Sequence, residues 1–261
     1  HNFGNAPAVI TENAEYFTYA ELTTAADRIR GHIDNRCLVF SLCENNLESV
    51  AGYVGFLRGR IVPILLSARI NNEFLERLLA TYKPAYLWLP TEKARGAHWG
   101  EQVYSYGSFT LLKTDYVADY ALHEDLALLL TTSGSTGSSK MVRQSYRNID
   151  SNTAAIAQYL EIDQADRPIT TLPMSYTYGL SIINSHLLKG CTLIMTGKTL
   201  MEKGFWELLK NEEATTFGGV PYVYEMLKKL RFARMALPSL RILTQAGGKL
   251  SYELAKEFAA V

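Results

Sequence analysis

The stretch LLLTTSGSTGSSKMVRQS, residues 128–145, decides how the rest of the chain is read. Residues 131–139 are all Gly, Ser or Thr, and Lys140 closes the run. Glycines let successive backbone amides turn toward one anion, hydroxyls add donors, and a lysine adds positive charge, so this composition suits a phosphate. A solvated linker is the competing reading. The flanks argue against it, because DLALLL before the run reads as a buried strand and KMVRQS after it alternates like a second one. A Walker loop needs its lysine directly after glycine and at the start of a helix. Here Ser138 and Ser139 separate Gly137 from Lys140 and a strand follows, so the loop joins two strands and a kinase or GTPase reading fails.

Upstream, helices and strands alternate. TYAE at 18–21 predicts a capping box, Thr18 with Glu21, opening a helix whose apolar residues recur at Leu22, Ala25, Ala26 and Ile29. CLVFSL is a buried strand, LESVAGYVGFLRG a helix closed by Gly59, RIVPILL a strand, NNEFLERLLATY an amphipathic helix ended before Pro84, and AYLWLP a strand. Alternation at this pace means an α/β fold, a largely parallel sheet covered by helices. The pattern loosens over 91–123, where QVYSYGSFTLL suits a β-hairpin. The expected division is a first α/β subdomain over 1–123 and a second, with the Gly/Ser/Thr loop, over 124–261. Downstream, helices are expected over 146–160, around 181–189, from about Glu202, over YVYEMLKKL and from near Ser251, between the strand-like runs PITTLPM, CTLIMT, ATTFGGV and LRILTQA.

Composition narrows the partners. Lys and Arg number 26 and so do Asp and Glu, so no net field recommends nucleic acid or an anionic surface. No apolar run approaches membrane-spanning length, and Cys37, Cys43 and Cys191 stand at no metal-ligand spacing; the reading is a soluble, cytoplasmic protein with buried thiols and no metal site of its own. Arg143 and Arg147 read as solvated surface charges, Lys249 as solvent-facing, and His186 as a satisfied, half-buried histidine.

TTSGSTGSSK closely resembles the phosphate-loop signature of the adenylate-forming (AMP-binding) superfamily, which includes acyl- and aryl-CoA synthetases, with Ser139 where the signature has proline. The flanks resemble the same family in order: FTYAELTTAADRI as its opening helix, SYRNI as the Ser-x-x-Asn helix start after the loop, and LPMSYTYGLS near the acyl pocket. FGGVPYVYEML then resembles the turn lining the carboxylate, and LRILTQAGGKLS the turn beside the nucleotide. The resemblance implies ATP-dependent activation of a small carboxylic acid to an acyl-adenylate, release of pyrophosphate, and transfer to a thiol, CoA or a pantetheine on an acyl carrier protein. It implies that Thr132, Ser133, Gly134, Ser135, Thr136, Gly137 and Lys140 bind the ATP phosphates. It also implies that Tyr176, Gly218, Gly219, Val220, Ala246, Gly247 and Gly248 form the acyl and adenylate pocket. Tyr176 and Tyr178 could equally be core aromatics, and the double glycine could serve a tight turn alone. The family's magnesium-linked glutamate, ribose aspartate and catalytic lysine lie in motifs that this sequence does not contain. The chain therefore reads as most of an N-terminal domain lacking the small C-terminal domain, and is expected to be inactive alone. A domain that loads a carrier protein, or a binding module that keeps only the phosphate grip, are the alternatives.

Overall fold

The computed structural model describes residues 3–118, 120–131 and 140–259. The strands form two sheets. β1 (Pro7–Ile10) and β2 (Tyr16–Thr18) make a hairpin that the sequence reading did not register. A helix, α1 (Tyr19–Arg30), follows and opens on the expected capping box: Glu21 N donates to Thr18 Oγ1 at 3.2 Å and Thr18 N to Glu21 Oε2 at 2.8 Å. Next come β3 (Leu38–Cys43), α2 (Leu47–Arg58), β4 (Val62–Ser67), α3 (Asn72–Tyr82), β5 (Tyr86–Pro90) and the single turn α4 (Thr91–Ala94). The expected hairpin is β6 (Glu101–Tyr106) and β7 (Phe109–Lys113).

β8 (Leu126–Thr131) and β9 (Met141–Ser145) pair antiparallel, with Thr131 opposite Met141, so the Gly/Ser/Thr run does join two strands. The chain continues through α5 (Tyr146–Tyr159), β10 (Pro168–Ile169), α6 (Thr177–Lys189), β11 (Leu193–Ile194), α7 (Lys203–Asn211) and β12 (Thr216–Gly219). It then runs through α8 (Pro221–Lys229), β13 (Ile242–Gln245) and α9 (Tyr252–Phe258). α5 starts as SYRNI suggested, with Ser145 and Asn148 in a reciprocal cap. One element differs: α6 begins at Thr177, a turn before the expected 181–189. Gly179 lies inside the helix, where glycine is required because a Cβ would collide with the Pro173 carbonyl.

The seven-stranded sheet runs β6-β7-β5-β3-β4-β8-β9 and the six-stranded sheet β13-β12-β10-β11-β1-β2. Residue 123 falls between β7 and β8, both in the seven-stranded sheet, while β1 and β2 pair into the sheet of the second half. The central strands are parallel and buried on both faces, as the unbroken apolar LVFSLC of β3 requires. Odd and even residues of β3 serve different layers. Val39 and Cys43 join α1, α2 and α6 residues Leu22, Val50 and Leu180 and the other sheet's Val9 and Leu193 in one core. Phe40 and Leu42 pack outward with Leu75 and Leu78 of α3. Phe217 and Ile194 face a third cluster with Phe205 of α7, Leu227 of α8 and Leu254 of α9. Helices thus lie between the sheets and on both outer faces, five layers in all.

At the strands' N-terminal ends two clamps close the layers. Arg36 donates to the carbonyls of Arg60, His123 (2.7 Å) and Leu126 (2.8 Å), tying the starts of β4 and β8 together. Asp166, fully buried, accepts from Thr215 Oγ1 at 2.8 Å, Arg241 Nη2 at 2.7 Å and, through Oδ2, Asp163 N at 3.1 Å, beneath β10, β12 and β13. Cys43 and Cys191 are buried and Cys37 half-buried, all three as free thiols that burial pushes up to about 12. Among the described residues no helix is long and apolar enough to cross a membrane.

Candidate active site

Parallel strands present their C-terminal ends to one side, where α/β folds take ligands. Residues following β1, β10 and β11 (Thr11, Thr170, Thr196) and those ending β3 and β4 (Cys43, Ser67) line a common cleft of about 670 Å³. Thr131 ends β8 beside β4, with Leu130 opposite Leu65, so the Gly/Ser/Thr loop leaves from this same end of the seven-stranded sheet. Residues 132–139, which include Thr132, Ser133, Gly134, Ser135, Thr136 and Gly137, lie outside the described residues. Lys140 is exposed, immediately before β9.

The cleft is polar and internally paired. Glu12 Oε2 accepts from Thr196 Oγ1 at 3.2 Å and Gly197 N at 3.3 Å and stands 3.9 Å from Lys198 Nζ. Glu48 Oε1 accepts from Ser108 N at 3.0 Å and Ser108 Oγ at 3.1 Å. Desolvation first, then the Glu48 charge, holds the Glu44 carboxyl above its ordinary range, with Arg69 opposing. Among the described residues no His, Cys, Asp and Glu side chains converge in threes as a metal site.

The expected pocket residues converge around the ends of β12 and β13. Gly218 pairs with Thr244 and Gly219 with Gln245 in parallel register. Successive strand residues face opposite sides. A Cβ on Gly218 would stand 2.6 Å from Ile182 Cδ1 of α6, and one on Gly219 2.6 Å from Val223 Cγ1 of α8. Neither glycine has a positive φ, so the pair serves close approach of two helices to one strand rather than a tight turn. Thr171 Oγ1 donates to the Gly218 carbonyl, joining this strand end to the cleft wall. Gly247 does need its freedom: its φ is +83°, and a Cβ would stand 2.6 Å from Tyr176 Oη. Ala246 N donates to the Gly219 carbonyl at 3.4 Å and Gln245 Nε2 to the Gly248 carbonyl at 2.9 Å, which sets the turn against β12. Val220 caps α8, whose first residue is Pro221.

Tyr176 and Tyr178 are half-buried at the start of α6, neither in the core. Tyr178 Oη donates to Thr244 Oγ1 at 2.7 Å, and burial raises its phenol above the ordinary range. Tyr224 Oη donates to the Thr244 carbonyl at 2.7 Å. Asn45, after β3, reaches across: its Nδ2 donates to the Leu172 carbonyl at 3.2 Å and its Oδ1 accepts from Met174 N at 3.3 Å, fixing the segment that leads into α6. Sequence reading missed Asn45, Thr171 and Thr244. His186 is corrected: it is 1% exposed rather than half-buried, its Nδ1 bonded to the Ile182 carbonyl at 2.8 Å and its Nε2 buried without a partner among the described residues.

A family model described as AMP-binding enzyme matches residues 1–261. The chain is 25% identical over 260 residues to 2-succinylbenzoate–CoA ligase of Staphylococcus epidermidis, covering 97% of this chain and 53% of that protein. It is 26% identical over 138 residues to the long-chain-fatty-acid–CoA ligase FadD13 of Mycobacterium tuberculosis, covering 52% of this chain and 27% of that one. Among solved structures, the inhibitor-bound N-terminal domain of FACL13 from Mycobacterium tuberculosis superposes with a TM-score of 0.78 at 19% identity, covering 98% of this chain and 69% of that one. MatB from Rhodopseudomonas palustris, without ligand, gives 0.76 at 20% identity over 98% of this chain and 55% of that chain. These structural likenesses establish the fold. The chain spans about half the length of the staphylococcal relative that matches it nearly end to end.

Proposed function

Because the chain belongs to the family of AMP-binding enzymes, we propose that its protein activates a carboxylic acid with ATP, releases pyrophosphate, and passes the acyl group to a thiol, CoA in the first instance. The family match along the whole chain carries the reading. The position of the loop stems supports it: β8 and β9 bring 131 and 141 face to face at the same end of the sheet as the β3 and β4 ends that line the cleft. ATP supplies the phosphoanhydride that the carboxylate opens.

This chain's own residues would do the holding. The amides and hydroxyls of Thr132, Ser133, Gly134, Ser135, Thr136 and Gly137 would bind the departing phosphates and Lys140 would add a cation, the charge-stabilising work that phosphoryl chemistry asks of a protein. A Cβ-free Gly247 held against Tyr176 gives a flat backbone turn, with Ala246 and Gly248, for the activated acid. Gly218, Gly219 and Val220 would form the wall beside it. Magnesium would enter with the nucleotide. Cytoplasmic placement and the division into subdomains at residue 123 belong to the same proposal.

Carboxylate-dependent ATP–pyrophosphate exchange by the full-length gene product, run over a panel of acids, tests it. Exchange with one class of acid, slowed on the order of a hundredfold by Lys140→Ala, is the expected result. Nucleotide binding with no exchange for any acid would overturn the proposal in favour of a binding module. Exchange followed by acyl transfer to a carrier protein and not to CoA would reassign the thiol.

A further inference from the structure

A thiol is only slightly ionised at neutral pH, so acyl transfer to sulfur calls for a group that takes the proton. Histidine is the usual one, and none stands among the described residues that line the cleft. The cleft has four carboxylates instead: Glu12, Glu15, Glu44 and Glu48. Glu48 is tied to the Ser108 turn, and Glu12 to Thr196 and Gly197. Glu15 precedes β2, at the edge of the six-stranded sheet farthest from β13.

Glu44 is placed differently. Its backbone N–H donates to Ser49 Oγ at 2.9 Å, which fixes the residue just past β3, and its side chain is exposed to the cleft. Oε2 accepts from Asn46 Nδ2 at 3.1 Å, while Oε1 has no hydrogen-bond partner among the described residues. The next residue, Asn45, bonds to Leu172 and Met174, the latter two positions before Tyr176. Glu44 thus lines the cleft one residue from the tie that fixes the lead-in to α6. The charges acting on it are Glu48 of α2, Arg69 after β4, Glu12 after β1 and Glu92 of α4. Desolvation and then the Glu48 charge hold its carboxyl above the ordinary range, against Arg69, which makes it a stronger base than a solvated carboxylate.

We propose that Glu44 is the proton acceptor for the thiol that takes the acyl group. The assignment rests on the acid-activation reading. As the sulfur bonds to the acyl carbon, the S–H proton passes to Glu44 Oε1. The bond from the acyl carbon to the AMP oxygen breaks, and AMP leaves with its electron pair. Glu44 then returns the proton to water through the open cleft.

The full-length gene product tests it, with pyrophosphate exchange reporting acid activation and acyl transfer to CoA or pantetheine reporting the second step. In Glu44→Gln, transfer should fall on the order of a hundredfold further than exchange, and Glu44→Asp should recover part of the difference. Trapping by hydroxylamine, which is uncharged at neutral pH and attacks without a base, should track exchange. Transfer by the unaltered protein should rise with pH through a limb above the ordinary carboxylate range of roughly 4.3. Glu44→Gln should erase that limb, and Glu48→Gln, by removing the like charge, should move it to lower pH. Thermal unfolding checks that each variant is folded. Transfer that falls only in step with exchange, or a limb that survives Glu44→Gln, would overturn the assignment while leaving acid activation standing. Exchange with no transfer to either thiol would do the same. Absence of exchange with every acid would instead remove the activation reading itself, and the role of Glu44 with it.

Discussion

Asn45 and Leu172 stand 127 positions apart in sequence and are joined by one hydrogen bond, from Asn45 Nδ2 to the Leu172 carbonyl at 3.2 Å. The same amide accepts from Met174 N at 3.3 Å. One side chain at the end of β3 thus holds the lead-in to α6, where Tyr176 and Tyr178 lie. Asn45→Ala should cost about 1–2 kcal/mol, because the part-buried Met174 amide loses its acceptor. In exchange assays it should raise KM for the acid more than it lowers kcat. Urea unfolding measures the first effect; an unchanged KM would leave Asn45 a purely structural tie.

Gly247→Ala brings two costs together. The φ of +83° strains any L residue, by about 1–2 kcal/mol, and the new methyl meets Tyr176 Oη at 2.6 Å. Tyr176→Phe removes only the second cost. The double variant should therefore recover part of the stability and part of the acid affinity lost in Gly247→Ala. A double-mutant cycle on melting temperature and acid KM reads both, and strict additivity would break the proposed contact.

His186 makes stability depend on pH. Its Nδ1 lies 2.8 Å from a carbonyl that can only accept, so the ring proton is on Nδ1 and a second proton would have to sit on the buried Nε2, which has no partner among the described residues. Desolvation lowers its folded-state pKa, with the Ile182 carbonyl and the Asp166 charge opposing. The unfolded chain then binds the proton more readily than the folded one. Stability should be full above the ordinary histidine range of roughly 6.5 and fall as pH drops below it, by at most about 1.4 kcal/mol per pH unit from this residue. His186→Gln should flatten that part of the profile in urea titrations between neutral and mildly acid pH.

Asp166 predicts a stability effect without a functional one. Asp166→Ala leaves the Thr215 hydroxyl and the Asp163 amide without their acceptor, at about 2–3 kcal/mol. Arg241 adds little, since its side chain is 48% exposed and can turn to water. Acid and nucleotide affinities should not move; calorimetric melting beside binding titrations checks the pair of claims.

Local signals carried well from sequence to structure. The Thr18–Glu21 and Ser145–Asn148 caps, the Gly59 stop and the β6–β7 hairpin each depend on residues a few positions apart, and each is present. β1 did not carry, because the four residues PAVI are too short a run to read alone, and the strand is fixed by pairing with the brief β2 on one side and with β11, over 180 positions later, on the other. Asn45 and Thr244 were illegible for the same reason: their partners are fixed by register and layer packing. Gly218 and Gly219 were visible as glycines, but the reason for them, two helices pressed to the two faces of one strand, belongs to tertiary structure.

β12 is four residues long, so the Asp166 clamp beneath it and the Gly247 turn above it are separated by roughly 13 Å of extended chain. Substitutions that far apart with no shared partners add nearly independently. The second sheet can accordingly be tightened at its base, through the Asp166, Thr215 and Arg241 contacts, without redrawing the acid pocket at its rim. Variation in substrate and variation in robustness are two separate dials on the same strands.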